Sequence, residues 1–368
     1  LFAQNPHFSH QTIDSIEIGY GLAIGDVNGD GKPDILLADK KDIVWYRNPD
    51  WQRFVMVSNL TERDNVCIAA RDINGDGRVE VAVGAQWNPA ETSDSTKSGS
   101  VHYLIRPDDP TQLWEPIALP HEPTTHRMGW VRVDKDRYDL VVVPLHGRDN
   151  KNGEGAGVRI YAYEMPANPR DAWTLHLIHE EMHMTHNFDV QETATGGRIE
   201  WGGKEGALRT EVKQGIWPEA GKGMPYAQDK GFGEIRWGKL GKQRFVAGIR
   251  PMHGEELMFT FPDKAKPDPR ILATDLAQGH ALACADLLGA GRDQIVAGWR
   301  NENADGKVGI RMYIPDKKGK IWNMYTIDDN EMACEDLKVA DLDGDGKPEI
   351  IAAGRATKNL KIYWNLTK

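Results

Sequence analysis

Residues 21–38 read Gly21-Leu-Ala-Ile-Gly-Asp26-Val-Asn28-Gly-Asp30-Gly-Lys-Pro-Asp34-Ile-Leu-Leu-Ala38: an apolar run, an acidic turn and a second apolar run. Runs this short that stop at turn residues fit buried strands. Gly29 and Gly31 supply backbone angles that other residues resist. Oxygen-bearing side chains stand at positions 1, 3, 5 and 9 of the turn, the alternation of a calcium loop. The same side chains also close a turn without an ion, by accepting backbone N–H groups. Calcium is therefore one of two readings for Asp26, Asn28, Asp30 and Asp34, and its role would be that of a staple.

The unit recurs. Asp72-Ile-Asn74-Gly-Asp76-Gly-Arg-Val-Glu80 and Asp341-Leu-Asp343-Gly-Asp345-Gly-Lys-Pro-Glu349 repeat the turn and extend both readings to their own side chains. A worn copy runs from Asp286 to Asp293, and fainter ones cover Trp130–Pro144, Asn187–Gly203 and Glu234–Gly248. Seven units about 50 residues apart indicate a solenoid, propeller or array. Each has room for four strands; the first holds Gly21–Gly25, Asp34–Ala38, Ile43–Tyr46 and Phe54–Val57. This predicts an all-β chain, a seven-bladed β-propeller with four-stranded antiparallel blades, as one domain over residues 1–368. The last unit stops after the strand Leu360–Trp364, while Phe8–Asp14 has no unit of its own and matches the fourth strands. The N-terminal segment is expected to complete the last blade and close the ring. In the fourth unit Gln214–Lys230, rich in glycine and proline, reads as a long loop.

The net charge is −10, which argues against a nucleic-acid partner. No apolar run approaches the roughly 18 residues of a membrane span. Leu1-Phe-Ala3-Gln4 resembles the end of a signal peptide and predicts an exported protein, periplasmic or extracellular. Cys67, Cys284 and Cys334 each lie in the first strand of a unit, match no metal spacing and read as inert core thiols.

In each unit the residues before the first strand and after the second emerge on the face opposite the acidic turn. They are Tyr20 in the first unit, Trp87 in the second, and His126, Arg127, His146 and Arg148 in the third. The later units add His183 and His186, then Arg250 and His253, then His280 and Arg300, and finally Glu335 and Arg355. Six of the 12 histidines and five arginines fall there, although the chain is acidic. One loop histidine alone is more often a partner for backbone groups; the cluster calls for a function. Arginine forks match planar carboxylates, and histidine is an acid or base near neutral pH. The expected ligand is an acidic small molecule or a uronic-acid sugar. His126, His146 and His186 are the candidate catalytic residues, and the other residues of these loops are candidates for substrate binding. Arg250, Arg300 and Arg355 are expected to hold the carboxylate, and Trp87 and Trp299 to stack on a sugar ring. His183 and His186 with His126 or His146 are also candidate zinc ligands, although their spacing is not a standard helical one.

The acidic turns resemble FG-GAP/VCBS repeats. Ala38–Trp51, Thr125-His-Arg-Met128 and Pro144-Leu-His-Gly-Arg-Asp149 resemble, over essentially the whole chain, a group of seven-bladed carbohydrate-active enzymes. The group comprises the rhamnosyl-glucuronate lyases of polysaccharide lyase family 42, the α-L-rhamnosidases of glycoside hydrolase family 145 and, more distantly, ulvan lyases. The resemblance implies action on the L-rhamnose-α-1,4-D-glucuronate cap of plant arabinogalactan, with no cofactor needed for the chemistry. A lyase needs a carboxylate neutraliser, a base for the C5 proton and a donor to O4, and Arg with His fits these jobs. A hydrolase of the usual kind needs two carboxylates across the bond, and no such pair is evident. The reaction of the family's rhamnosidases is assigned to the opposite face and rests on one histidine; the turns there hold none, and His7 near the N-terminus is the one candidate. A β-elimination is therefore expected, with the rhamnosidase as the alternative and a non-catalytic glycan-binding propeller as the second.

Overall fold

Runs rich in Val, Ile, Leu and Ala, bounded by Gly, Asp and Pro, become strands because their side chains fill a pleated, buried surface. The computed structural model describes residues 5–221, 223–264 and 268–368; the signal-peptide reading of residues 1–4 lies outside them. The strands form seven four-stranded antiparallel sheets, and no helix occurs among the described residues: the fold is a seven-bladed β-propeller. Blade one is Gly21–Gly25, Asp34–Ala38, Asp42–Arg47 and Gln52–Ser58. The first two strands of blade three are Thr125–Arg132 and Tyr138–Pro144, and those of blade four are Thr185–Thr193 and Gly196–Gly203. Blade six begins with Gly279–Ala285 and Gln294–Trp299, and blade seven with Cys334–Ala340 and Glu349–Gly354.

The chain divides into two compact units, Ala23–Gly231 and Phe232–Lys368 together with the N-terminal residues up to Leu22. In the first unit Leu36 and Trp45 of blade one pack with Val81 and Val83 of blade two. Val141 and Val143 of blade three pack with Ile199 and Trp201 of blade four. In the second unit Phe245 and Phe259 pack with Ile295, and Val296 and Met312 with Ile350 and Tyr363. Burying one such side chain fully contributes roughly 1.5–3 kcal/mol. Cys67 and Cys334 are buried within these cores and Cys284 is half-buried; none of the three is in a disulfide. Burial pushes the Cys67 thiol up to about 12.

Two segments bear on the expected strand plan. Phe8–Ser15 pairs with Asn359–Asn365, from Phe8 opposite Asn365 to Ser15 opposite Asn359, and supplies the fourth strand of blade seven. Gln214–Lys230 is not wholly a loop: Met224–Tyr226 pairs with Ala207–Arg209 as the fourth strand of blade four. The buried Tyr226 anchors it, its hydroxyl donating to Glu200 Oε2 at 2.7 Å, and Pro225 is tolerated because this is an edge strand.

The acidic turns share one geometry. Asp26 accepts the N–H groups of Gly29 and Gly31, whose φ values of +81° suit glycine. Asn28 and Asp30 accept the N–H groups of Asp30 and Lys32. Asp34, expected as a fourth calcium ligand, instead turns inward, fully buried, and accepts Val27 N–H (2.9 Å) and Asn48 N–H (2.8 Å). Glu80 does the same for Ile73, and Glu349 for Leu342. In the worn copy Gln294, not Asp293, takes this place, accepting Leu288 N–H at 3.1 Å. The job thus needs an acceptor, not a charge. Burial pushes Asp34, Glu80 and Glu349 each up to about 7.

Two predictions follow from this architecture. Deleting residues 1–15 leaves Asn359–Asn365 with an unpaired edge and forfeits ladder hydrogen bonds contributing roughly 0.5–1.5 kcal/mol each. The melting temperature should fall; an unchanged value would show that the pairing adds no stability. The second concerns pH. The folded chain holds protons on Asp34, Glu80 and Glu349 up to about pH 7, while the unfolded chain releases them near pH 4. Their contribution is therefore present at low pH and is lost as pH rises through that window. The buried imidazoles of His102 and His179, pushed down to about 4, act in the opposite sense. The comparison between proteins isolates the carboxyls. A triple Asp34→Asn, Glu80→Gln, Glu349→Gln variant should gain melting temperature relative to wild type as pH rises from about 5 to 7. A constant difference would contradict the account.

Candidate functional site

Four blades break their first ladder at one place. Thr125 pairs with Pro144 and Arg127 with Val143, leaving His126 over as a bulge. His186 is left over between Thr185 and Asn187, His280 between Gly279 and Ala281, and Glu335 between Cys334 and Asp336. The first strands of blades two and five pair without a break, so the fold does not require the bulge. A bulge re-aims its side chain, and bulges concentrate beside active sites. All four residues are buried, at 6, 1, 4 and 2% exposure, where a polar group normally needs a partner.

In the unit of blades one to four, Trp87 lies against the His126 ring, with centroids 4.9 Å apart and planes at 22°. The His186 ring meets His126 edge-on at 4.8 Å. His146 follows the second strand of the same blade, just past the Thr125–Pro144 pair. Its N–H donates to Thr124 Oγ1 at 3.0 Å; its ring is half-buried, with Nδ1 buried and unpartnered among the described residues. Burial holds its pKa below the ordinary histidine value, so at neutral pH it is a neutral imidazole. Arg127 is half-buried, donates to the His126 carbonyl at 3.1 Å and pairs with no carboxylate among the described residues. Arg148 differs: its Nε and Nη2 grip Glu122 Oε2 at 3.2 and 2.9 Å. His183 holds Glu205 at 2.7 Å through Nδ1. Among the described residues no three of His183, His186, His126 and His146 bring ring nitrogens within 4.8 Å of one another.

In the other unit Arg250, nearly fully buried, is paired with Glu256 rather than open to a ligand. Arg300 Nη1 spans both oxygens of Glu335 at 3.2 and 3.0 Å, and its Nη2 donates to Gln278 Oε1 at 3.0 Å. Arg355 reaches Glu335 at 3.1 Å and lies 5.3 Å from the ring of the buried Tyr20. His280 Nδ1 lies 2.7 Å from the Glu335 carbonyl; a carbonyl only accepts, so the proton is on Nδ1. His253 packs on His280 at 5.0 Å. Trp299, expected to stack on a sugar, is 3% exposed, donates to Lys307 O and is covered by Arg311 at 4.7 Å; it is core.

On the acidic turns, Asp341, Asp343 and Asp345 each bring a carboxylate oxygen within 4.8 Å of the others. Asp72, Asn74 and Asp76 repeat the backbone-closed geometry of Asp26, Asn28 and Asp30. The carboxylate partners Glu122, Glu205 and Glu256 were not evident from local pattern. Glu335 did carry a signal, since it occupies the repeat position of His126, His186 and His280.

A model of the FG-GAP-like repeat matches residues 26–83, and one of the FG-GAP repeat matches residues 68–104. No curated protein matches the sequence. Among solved structures, that of BBS1N in complex with ARL6DN is 14% identical, with a TM-score of 0.60 over 98% of this chain and 97% of that one. A chain of the mitotic checkpoint complex is 10% identical, with a TM-score of 0.62 over 99% and 95%. At such identities the likeness is one of fold. No helix is long and apolar enough to cross a membrane.

Proposed function

We propose that this chain is a polysaccharide lyase that cleaves uronate-containing glycans by β-elimination, with the rhamnose–glucuronate cap of arabinogalactan as substrate, acting outside the cytoplasm. The observation that carries the reading is an arginine without a carboxylate partner, Arg127, beside buried His126 and in the same blade as the neutral His146. Arg127 neutralises the uronate carboxylate and stabilises the charge that develops on it; one such donor contributes about 3 kcal/mol. His146 takes the C5 proton. The C4–O4 bond breaks as the 4,5 double bond forms, and His126 or His186 protonates the departing O4. A glycosidase of the usual kind would need two carboxylates across the bond. Glu122 and Glu205, which partner Arg148 and His183 of these loops, are already held by them.

The test is to incubate the protein with rhamnose-capped arabinogalactan and assay free rhamnose and the ultraviolet absorbance of a 4,5-unsaturated uronate. Both signals are expected. Rhamnose without the chromophore would make the enzyme a rhamnosidase, and neither signal would leave a binding propeller. His146→Ala should lower kcat by roughly 10²–10⁴ with little change in KM. Wild-type activity should persist below the ordinary histidine pKa of about 6.5 before falling with acid; full activity in the variant would remove His146 from the chemistry.

Calcium enters this reading only as a staple at the acidic turns, where the three carboxylates of Asp341, Asp343 and Asp345 fit a hard cation. Chelation should then lower the melting temperature and leave KM unchanged. An unaltered melting temperature would mean that the backbone N–H groups close these turns unaided.

A further inference from the structure

We infer that Arg355, in the unit containing blades five to seven and aimed by Glu335, binds a carboxylate of the acidic glycan. The ligand class rests on the uronate reading above; the site itself rests on geometry.

Glu335 stands at the bulge of blade seven, 2% exposed, with both oxygens engaged by guanidinium groups. The contact of His280 Nδ1 with the Glu335 carbonyl pins the bulged backbone. Arg300 is spent: Glu335 and Gln278 take its two Nη groups, and its side chain is 14% exposed. Arg355 is not. Its side chain is 41% exposed, and Nη1 is the one guanidinium nitrogen engaged by an acceptor among the described residues. Tyr20 lies against its guanidinium.

Two guanidiniums on one carboxylate leave one positive charge in excess. Glu335 and Tyr20 fix the plane of that charge, and its unused N–H donors form the fork that matches a carboxylate bidentately. Because the fork is held before the ligand arrives, binding costs less ordering entropy than it would for a free side chain. Glu335 is a positioning residue here: it does not touch the ligand, and it keeps Arg300 and Arg355, two like charges, in register.

The test is titration calorimetry on the full chain with methyl glucuronoside and with its uncharged carboxamide. Wild type should prefer the acid about tenfold, the worth of one charge-assisted contact. In a chain already carrying Arg127→Met, which removes the carboxylate contact of the lyase reading, Arg355→Met, at a half-exposed position, should erase the preference that remains without changing the melting temperature or the affinity for the amide. Glu335→Gln should reduce the preference and Glu335→Asp should restore it, which a merely structural role would not produce. The inference is overturned if wild type shows no preference, if the Arg127→Met, Arg355→Met double variant retains the preference of Arg127→Met, or if Glu335→Gln matches wild type. Its failure is separable from that of the lyase reading. Unsaturated product from wild type, with the preference of Arg127→Met intact in the double variant, sinks this site alone. An Arg355-dependent preference without any unsaturated product sinks the lyase reading and leaves the site.

Discussion

One buried acceptor at the corner between the first and second strands underlies the repeat. Asp34 ties Val27 to Asn48, Glu349 reaches Leu342, and Gln294 does the same work for Leu288 with a neutral carboxamide. Each satisfies backbone N–H groups that the turn would otherwise bury unpaired, at about 1–3 kcal/mol apiece. With the corner fixed at one end of the strand pair, the other end can vary. There four blades admit an extra residue into the ladder, and there the histidines and arginines collect. A rigid scaffold with variable ends is how loops come to carry function.

The bulges and the ion pairs together decide which of these side chains are open to a ligand. Sequence composition suggests a cationic face. The structure subtracts from it, since Arg148, Arg250 and Arg300 each face a glutamate, and His183 does too. Arg127 remains in one unit and the outer edge of Arg355 in the other. A face of many cations would attract any polyanion; two partly buried forks favour a planar carboxylate.

Much of the fold was legible because its signals are local. Gly21–Gly25 and Asp34–Ala38 are strands with the bounds their sequence predicts, and the Phe8 segment declared itself by having no unit of its own. What was not legible depends on distance along the chain. Glu122 lies 26 residues from Arg148, and Glu335 lies 35 from Arg300, so neither pair leaves a periodic trace. Trp299 looked like a sugar platform because loop-end tryptophans often are; its neighbours bury it instead. Met224–Tyr226 was hidden by flanking glycines and a proline that an edge strand tolerates.

The claim that most needs a direct measurement is that the bulged histidine and Arg127 receive the uronate. A crystal structure of the His146→Ala variant with the intact rhamnosyl-glucuronate disaccharide would supply it. The account predicts the carboxylate within hydrogen-bond reach of the Arg127 guanidinium, with the bond to be broken beside His126. A disaccharide seated instead over the acidic turns, with Arg127 untouched, would contradict it.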